Sequence, residues 1–252
     1  MRYFIITGTS RGLGKAIAKA LIQKGHHVFC ISRTVNNELK DYAKVHEGKF
    51  DYLPYNLSNL QGLRNLMFNI FSSIDLKHAE SISLINNAGI LSPIKPLEEC
   101  RDSEILSNLH VNLAAPLILT SEFISRTKEF VGEKTVINIS SGAGSKPHYG
   151  WSNYCASKAG VNLFTQSVGI EQEERKHPVK ILALAPAIMD TTMQEEIRGT
   201  DKKNFIEVEK FKDYKTQGKL LTPEQVAEVV RNLLLEGKFE NGDVVDVRDL
   251  IE

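Results

Sequence analysis

Two spacings of apolar residues alternate along this chain. Short β-branched or apolar runs recur at residues 3–6, 27–31, 52–55, 83–85, 135–139, 180–185 and 244–247, and longer stretches with helical spacing lie between them. Several runs are apolar almost throughout, as in Phe4-Ile5-Ile6 and Ile181-Leu182-Ala183-Leu184-Ala185. Strands covered by helices on both faces read this way, because neither set of alternating side chains meets water. The spacing predicts helices at about 13–22, 60–73, 103–128, 152–174 and 224–235. The last has a complete start signal: Thr222 at the cap, Pro223 at the first helical position and Gln225 placed to reach back. Strand alternating with helix predicts an α/β fold, a doubly wound parallel sheet of Rossmann type with helices on both faces. No repeat or linker-like stretch divides the 252 residues, so a single domain over 1–252 is expected.

Composition narrows the function classes. The chain is 42% hydrophobic and 25% charged, as a globular protein is, and its 31 basic residues balance 31 acidic ones. That balance gives no broad attraction to nucleic acid or an anionic membrane. Residues 1–8 form too short an apolar run for a leader or a membrane span, and they lead straight into a glycine-rich turn. Cys30, Cys100 and Cys155 are scattered and lack metal-ligand spacing. Reduced thiols in a cytoplasmic protein with no metal are the expectation.

The first strand runs into Thr7-Gly8-Thr9-Ser10-Arg11-Gly12-Leu13-Gly14, and a helical pattern begins at once. Glycines at such a turn let the backbone approach a pyrophosphate, and the helix start offers it free N–H groups. The second strand ends in Cys30-Ile31-Ser32-Arg33-Thr34, without the carboxylate that would hold a ribose 2′-hydroxyl. Arg33, with Arg11 beside it, suits a 2′-phosphate and so NADP(H); two solvated loop arginines are the plain alternative. Asn86-Asn87-Ala88-Gly89 follows the fourth strand, where small residues permit close packing against a cofactor.

The strand at 135–139 leads to Ser140-Ser141-Gly142; Tyr154 lies thirteen residues after Ser141, and Lys158 four further on. Positions i and i+4 share one helix face, so the ammonium is expected beside the phenol, lowering its pKa toward the range of a general acid. Taken singly, a helical Tyr–Lys pair is surface decoration and a serine after a strand is a turn residue.

Together, the Gly8–Gly12–Gly14 spacing after Thr7, the Asn-Asn-Ala-Gly stretch and the Ser–Tyr-x-x-x-Lys signature resemble the short-chain dehydrogenase/reductase family, over essentially the whole chain. Asn112, in His110-Val111-Asn112-Leu113, completes that family's tetrad with Ser141, Tyr154 and Lys158. The resemblance implies that Tyr154 protonates a carbonyl oxygen as hydride arrives and that Ser141 orients that oxygen. It gives Lys158 the nicotinamide ribose as well as Tyr154, and Asn112 a water that restores the proton. It implies cofactor contacts from Gly8, Ser10, Arg11, Gly12, Leu13, Gly14 and Arg33. Further contacts follow from Asn56 and Leu57 (the family has Asp for Asn56), from Asn87, Ala88 and Gly89, and from Ile188 and Thr191. Ala187 stands where the family places glycine before that last pair.

Ser32-Arg33, the segment 150–155, Asp190-Thr191-Thr192-Met193 and the segment 241–246 resemble the sepiapterin reductase-like branch. Within it the likeness is closest to bacterial reductases that convert one carbonyl of an aromatic α-diketone such as benzil to the (S)-hydroxyketone. Asp246 matches the branch's pterin-anchoring carboxylate, leaving a pterin reductase as the second reading and a non-catalytic NADP-binding sensor as the third. Tyr149, Trp151, Met189 and Met193 flank the catalytic segments as lining for a ring-sized pocket or as core, and Trp151, Met193 and Asp246 join Ser141 and Tyr154 as candidate substrate contacts. The amphipathic stretch near 190–215 is the expected substrate lid, or else a plain surface helix. The implied partners are a small carbonyl substrate and, through the long helices at 103–128 and 152–174, a second copy in a homodimer.

Overall fold

The computed structural model describes residues 1–251. Seven strands form one sheet: β1 (Arg2–Thr7), β2 (His26–Ser32), β3 (Lys49–Pro54), β4 (Ser81–Asn86), β5 (Glu133–Ile139), β6 (Lys180–Ala185) and β7 (Val244–Asp246). All pairings are parallel, in the order β3-β2-β1-β4-β5-β6-β7. The order reverses between β1 and β4, which opens a crevice at the carboxyl ends of those strands, the usual ligand position in such sheets. This is the predicted Rossmann-type sheet in a single domain.

Period-two alternation along β1 divides the interior into two layers. Phe4 and Ile6 pack with Ile17, Leu21, Val230 and Leu233 on one face, while Tyr3 and Ile5 pack with Met67, Ile70, Leu119 and Phe123 on the other. The first layer is closed by α1 (Gly12–Leu21) and α9 (Pro223–Glu236), the second by α3 (Leu63–Ser72) and α5 (Ala115–Arg126). The predicted start of α9 is present: Gln225 N–H donates to Thr222 Oγ1 at 3.2 Å and Thr222 N–H to Gln225 Oε1 at 2.8 Å.

Three departures from the sequence reading have physical causes. Helix α2 (Asn37–Val45) is unpredicted because it is mostly polar and buries only Leu39 and Ala43, its start being fixed by the Asn36 side chain. The stretch expected as one helix over 103–128 is α4 (Asp102–Leu109), a π-helical turn (His110–Ala114) and then α5. Strand β7 stops at Asp246, whose side chain caps the 3₁₀ turn Val247–Asp249.

The predicted amphipathic segment near 190–215 contains two helices, α7 (Thr192–Arg198) and α8 (Val208–Thr216). They pack through a third apolar cluster, in which Ile197, Phe205, Val208 and Phe211 meet Leu91, Trp151 and Tyr154. Trp151 caps α6 (Ser152–Glu173) and Tyr154 lies in its first turn, so this cluster ties the 192–216 segment to the helix that bears the candidate acid. Among the described residues no helix is long and apolar enough to cross a membrane.

Candidate active site

The β1–α1 turn is shaped by glycine where nothing larger fits. Gly8 has φ +75°, and a Cβ there would stand 2.8 Å from the Ala88 Cα; a Cβ on Gly14 would stand 2.2 Å from the Gly8 carbonyl oxygen. The segment after β4 locks onto this turn. Thr7 Oγ1 accepts from Asn87 N–H at 2.9 Å and Ala88 N–H at 3.0 Å, while Asn87 Nδ2 donates to the Thr7 carbonyl at 2.8 Å. Asn86 is used differently, donating to Asn138 Oδ1 at 2.8 Å to brace β4 against β5. Sequence reasoning missed Asn36, which donates to the Ser10 carbonyl at 2.9 Å and supports the turn from α2.

Above the turn lies a cavity of about 440 Å³. Gly8, Ser10, Arg11, Gly12, Leu13 and Gly14 line it from the turn, and Arg33, Asn56 and Leu57 from the tips of β2 and β3. Asn87, Ala88 and Gly89 line its floor, with Tyr154, Lys158, Thr191 and Met193 beyond them. Free N–H groups at the start of α1, whose first turn holds no acid, face an extended crevice with a cation at each side, Arg11 and Arg33. These residues fit a dinucleotide with its phosphates at α1.

At the chemical end, Ser141 follows β5 and caps a 3₁₀ turn by accepting from Ala143 N–H at 3.1 Å. Its hydroxyl lies near enough to the Tyr154 phenol to oppose, in small part, the effect of burial on that group. The Lys158 ammonium donates to the Ile139 carbonyl at 2.7 Å and lies 5.7 Å from the centre of the Tyr154 ring. Burial lowers the Lys158 pKa to about 8, and it raises the Tyr154 phenol, against a smaller lowering from Ser141. Desolvation is the largest cause at both groups, disfavouring phenolate and ammonium alike.

Asn112 sits in the π-helical turn with its side chain fully engaged. It accepts from Ile90 N–H at 2.8 Å and donates to the Ile90 carbonyl at 2.7 Å and to Asn108 Oδ1 at 3.0 Å. A Cβ on Gly89 would stand 3.5 Å from Asn112 Oδ1 and 3.7 Å from Lys158 Nζ, so these two side chains approach one another beside Gly89. Asn108 was not foreseen. Buried, it donates to the Ser92 carbonyl at 3.0 Å, and its place one turn before Asn112 was the available signal.

Several expected residues stand elsewhere. Ser141 follows the lining residue Ser140 and lies near Tyr154, while Asn112 stands behind the lining and holds the Ile90 backbone. Trp151 is a correction: it is 5% exposed and stacks on Phe205 with ring centroids 4.7 Å apart, which makes it a core residue behind Tyr154 rather than a substrate contact. Both oxygens of Asp246 accept from the exposed Arg248 guanidinium, at 2.8 and 2.7 Å. Ile188 lies off the cavity and its carbonyl accepts from Leu221 N–H at 3.0 Å. Tyr149 is exposed, whereas Met189 lines the cavity as expected. Among the described residues no cluster of His, Cys, Asp or Glu suits a metal ion.

Fold and tetrad together define an oxidoreductase that uses a nicotinamide cofactor on a carbonyl or hydroxyl group, and residues 2–202 match the family model for short chain dehydrogenases. The chain belongs to that family. It is 47% identical over 247 residues to the benzil reductase ((S)-benzoin forming) of Bacillus cereus, covering 98% of this chain and 99% of that one. To the benzil reductase ((S)-benzoin forming) of Bacillus subtilis strain 168 it is 39% identical over 251 residues, covering 100% of both. Among solved structures, the KRED1-Pglu enzyme superposes with a TM-score of 0.84 at 26% identity, over 97% of this chain and 100% of that one.

Proposed function

We propose that this protein is an NADPH-dependent reductase that converts one carbonyl of an aromatic α-diketone such as benzil to the (S)-hydroxyketone. The observation that carries the reading is buried Tyr154, with Lys158 beside it, at the wall of a cavity continuous with the glycine turn. The Bacillus likeness supplies the substrate class and the product hand.

A reduced nicotinamide bound in this cavity supplies the hydride. Tyr154, kept protonated by burial, gives its proton to the carbonyl oxygen as the carbon accepts that hydride, so that C=O becomes CH–OH. Ser141 donates a hydrogen bond to the same oxygen. Lys158 stabilises the phenolate that remains and holds the ribose hydroxyls. Asn112 fixes the backbone at Ile90, beside which a water restores the proton. Arg11 and Arg33 receive the 2′-phosphate, which sets the preference for NADPH. Helices α7 and α8 form the substrate lid, with Met189 and Met193 toward the rings.

In the pterin reading, the substrate displaces the exposed Arg248 from Asp246, its expected anchor. A mere cofactor sensor needs no proton donor. Free Cys30, Cys100 and Cys155 support a cytoplasmic setting, and exposed Leu106, Leu163 and Ile170 on α4 and α6 support pairing of two copies.

The test is turnover of benzil and sepiapterin with NADPH and with NADH, with the benzil product resolved on a chiral column. Expected are a preference for benzil with NADPH, (S)-benzoin, and loss of turnover by about 10²–10⁴-fold in Tyr154→Phe with NADPH binding retained. No benzil turnover, or near-normal turnover in Tyr154→Phe, overturns the reading.

A further inference from the structure

Four charged side chains line the cavity: Arg11, Arg33, Lys158 and Glu196. The two arginines stand at the tips of β1 and β2, where the phosphates belong. Lys158 is buried behind Tyr154 and committed to the Ile139 carbonyl. Glu196 stands apart from them on α7. It shares a helix face with Thr192 and Met193, four and three residues earlier, and both of these also line the cavity.

The Glu196 carboxylate accepts a hydrogen bond from Ser92 Oγ, across the mouth of the cavity. Ser92 is itself held by Asn108, so the contact joins α7 to the wall formed by α4 and the segment after β4. The partner is a neutral hydroxyl and leaves the carboxylate's charge intact. Asp190, just before α7, is handled differently: it is paired with Lys215 and Arg198. Apart from Lys158 behind Tyr154, the rest of the substrate end is neutral, with Leu91, Ser107, Val111 and Met193 around it.

We infer that Glu196 is a specificity-determining residue that rejects anionic carbonyl compounds, 2-oxo acids above all, in favour of neutral diketones. The inference rests on the carbonyl-reductase reading of this site. A 2-oxo acid carries a carboxylate next to its reacting carbonyl, where a neutral diketone carries a second C=O of similar shape. Placing that carboxylate beside Glu196, exposed at the cavity mouth, brings two like charges together, and this solvent-screened repulsion discriminates without any new attraction to the preferred substrate.

The test compares kcat/KM for phenylglyoxylate and benzil, with NADPH, in the wild type, Glu196→Gln and Ser92→Ala. Glu196→Gln is expected to raise the phenylglyoxylate-to-benzil ratio by about three- to tenfold. Ser92→Ala, which keeps the charge, is expected to hold the wild-type ratio, and added salt to narrow the gap in the wild type. An unchanged ratio in Glu196→Gln overturns the inference, as does an equal rise in Ser92→Ala, which would assign the effect to wall geometry. A second measurement keeps the two readings separable: binding of benzoate against benzamide to NADPH-loaded protein, followed by NADPH fluorescence. If benzil is not reduced but Glu196→Gln tightens benzoate alone, the substrate assignment fails and the charge selection stands. If benzoate and benzamide respond equally, the charge selection fails.

Discussion

Trp151 stands edge-on to Tyr154, with ring centroids 5.9 Å apart and planes at 83°. The same indole lies flat on Phe205 and meets Phe211 edge-first at 5.5 Å. One side chain thus connects Tyr154 to the segment that carries α7 and α8. Its Nε1 has no hydrogen-bond partner, so its role is carried by ring packing. Trp151→Phe should keep the fold with a loss of less than about 1.5 kcal/mol. Trp151→Ala should lose about 3–5 kcal/mol and lower kcat more than it raises KM, because Tyr154 loses its backing. Thermal melts together with steady-state kinetics would check this, and a selective rise in KM would return Trp151 to the substrate surface.

Lys158 links pH to both stability and rate. Burial depresses its pKa from 10.5 to about 8, so below pH 8 the folded state carries a buried charge at a penalty of about 3 kcal/mol. Between pH 8 and 10.5 the unfolded chain holds the proton more tightly than the folded one, and the wild type gains stability as pH rises. Lys158→Met, inactive, should therefore be more stable than wild type by about 1–3 kcal/mol at pH 7, less its lost bond to Ile139, and the difference should shrink toward pH 10.5. Denaturant melts across that range would show it.

The same group should shape the rate profile. Reduction needs a charged lysine beside an emerging phenolate, so kcat/KM is expected to fall above about pH 8. Lys158→Arg keeps the charge to higher pH and should move that limb upward while lowering the plateau. A limb that stays in place would assign it to another group.

Cofactor preference is expected to reside in Arg33 and Arg11. Arg33→Ala should lower the NADPH-to-NADH ratio of kcat/KM by about 10- to 100-fold, and adding Arg11→Ala should lower it further, through loss of charge-assisted bonds to the 2′-phosphate. Equal losses with both cofactors would show that the arginines act on the shared diphosphate.

Ala187 holds φ at +55°, a region that suits glycine. Ala187→Gly should raise stability by about 0.5–1 kcal/mol after the greater freedom of the unfolded chain is counted, a midpoint shift of about 1–4 °C. Ala187→Val should lower it. Thermal denaturation of the pair gives the sign directly.

Much of this protein was readable along the chain because its patterns are local. Strand runs such as Phe4-Ile5-Ile6 announce burial on both faces, Gly8 and Gly14 mark a turn that excludes side chains, and four residues separate Tyr154 from Lys158 on one helix face. The capping box of α9 and the absence of an acid after β2 belong to the same class. What depended on distant residues meeting was decided only in three dimensions. Trp151 became core because Phe205 and Phe211 fold over it. Helix α4 gives way to a π-helical turn that seats Asn112 against Ile90, and Glu196 faces a cavity wall more than a hundred residues away at Ser92. Desolvation made the sharpest difference. The i, i+4 spacing put a charge next to a phenol, but how far water is excluded around both is a property of the packed fold, and it raised the phenol that proximity alone would have lowered.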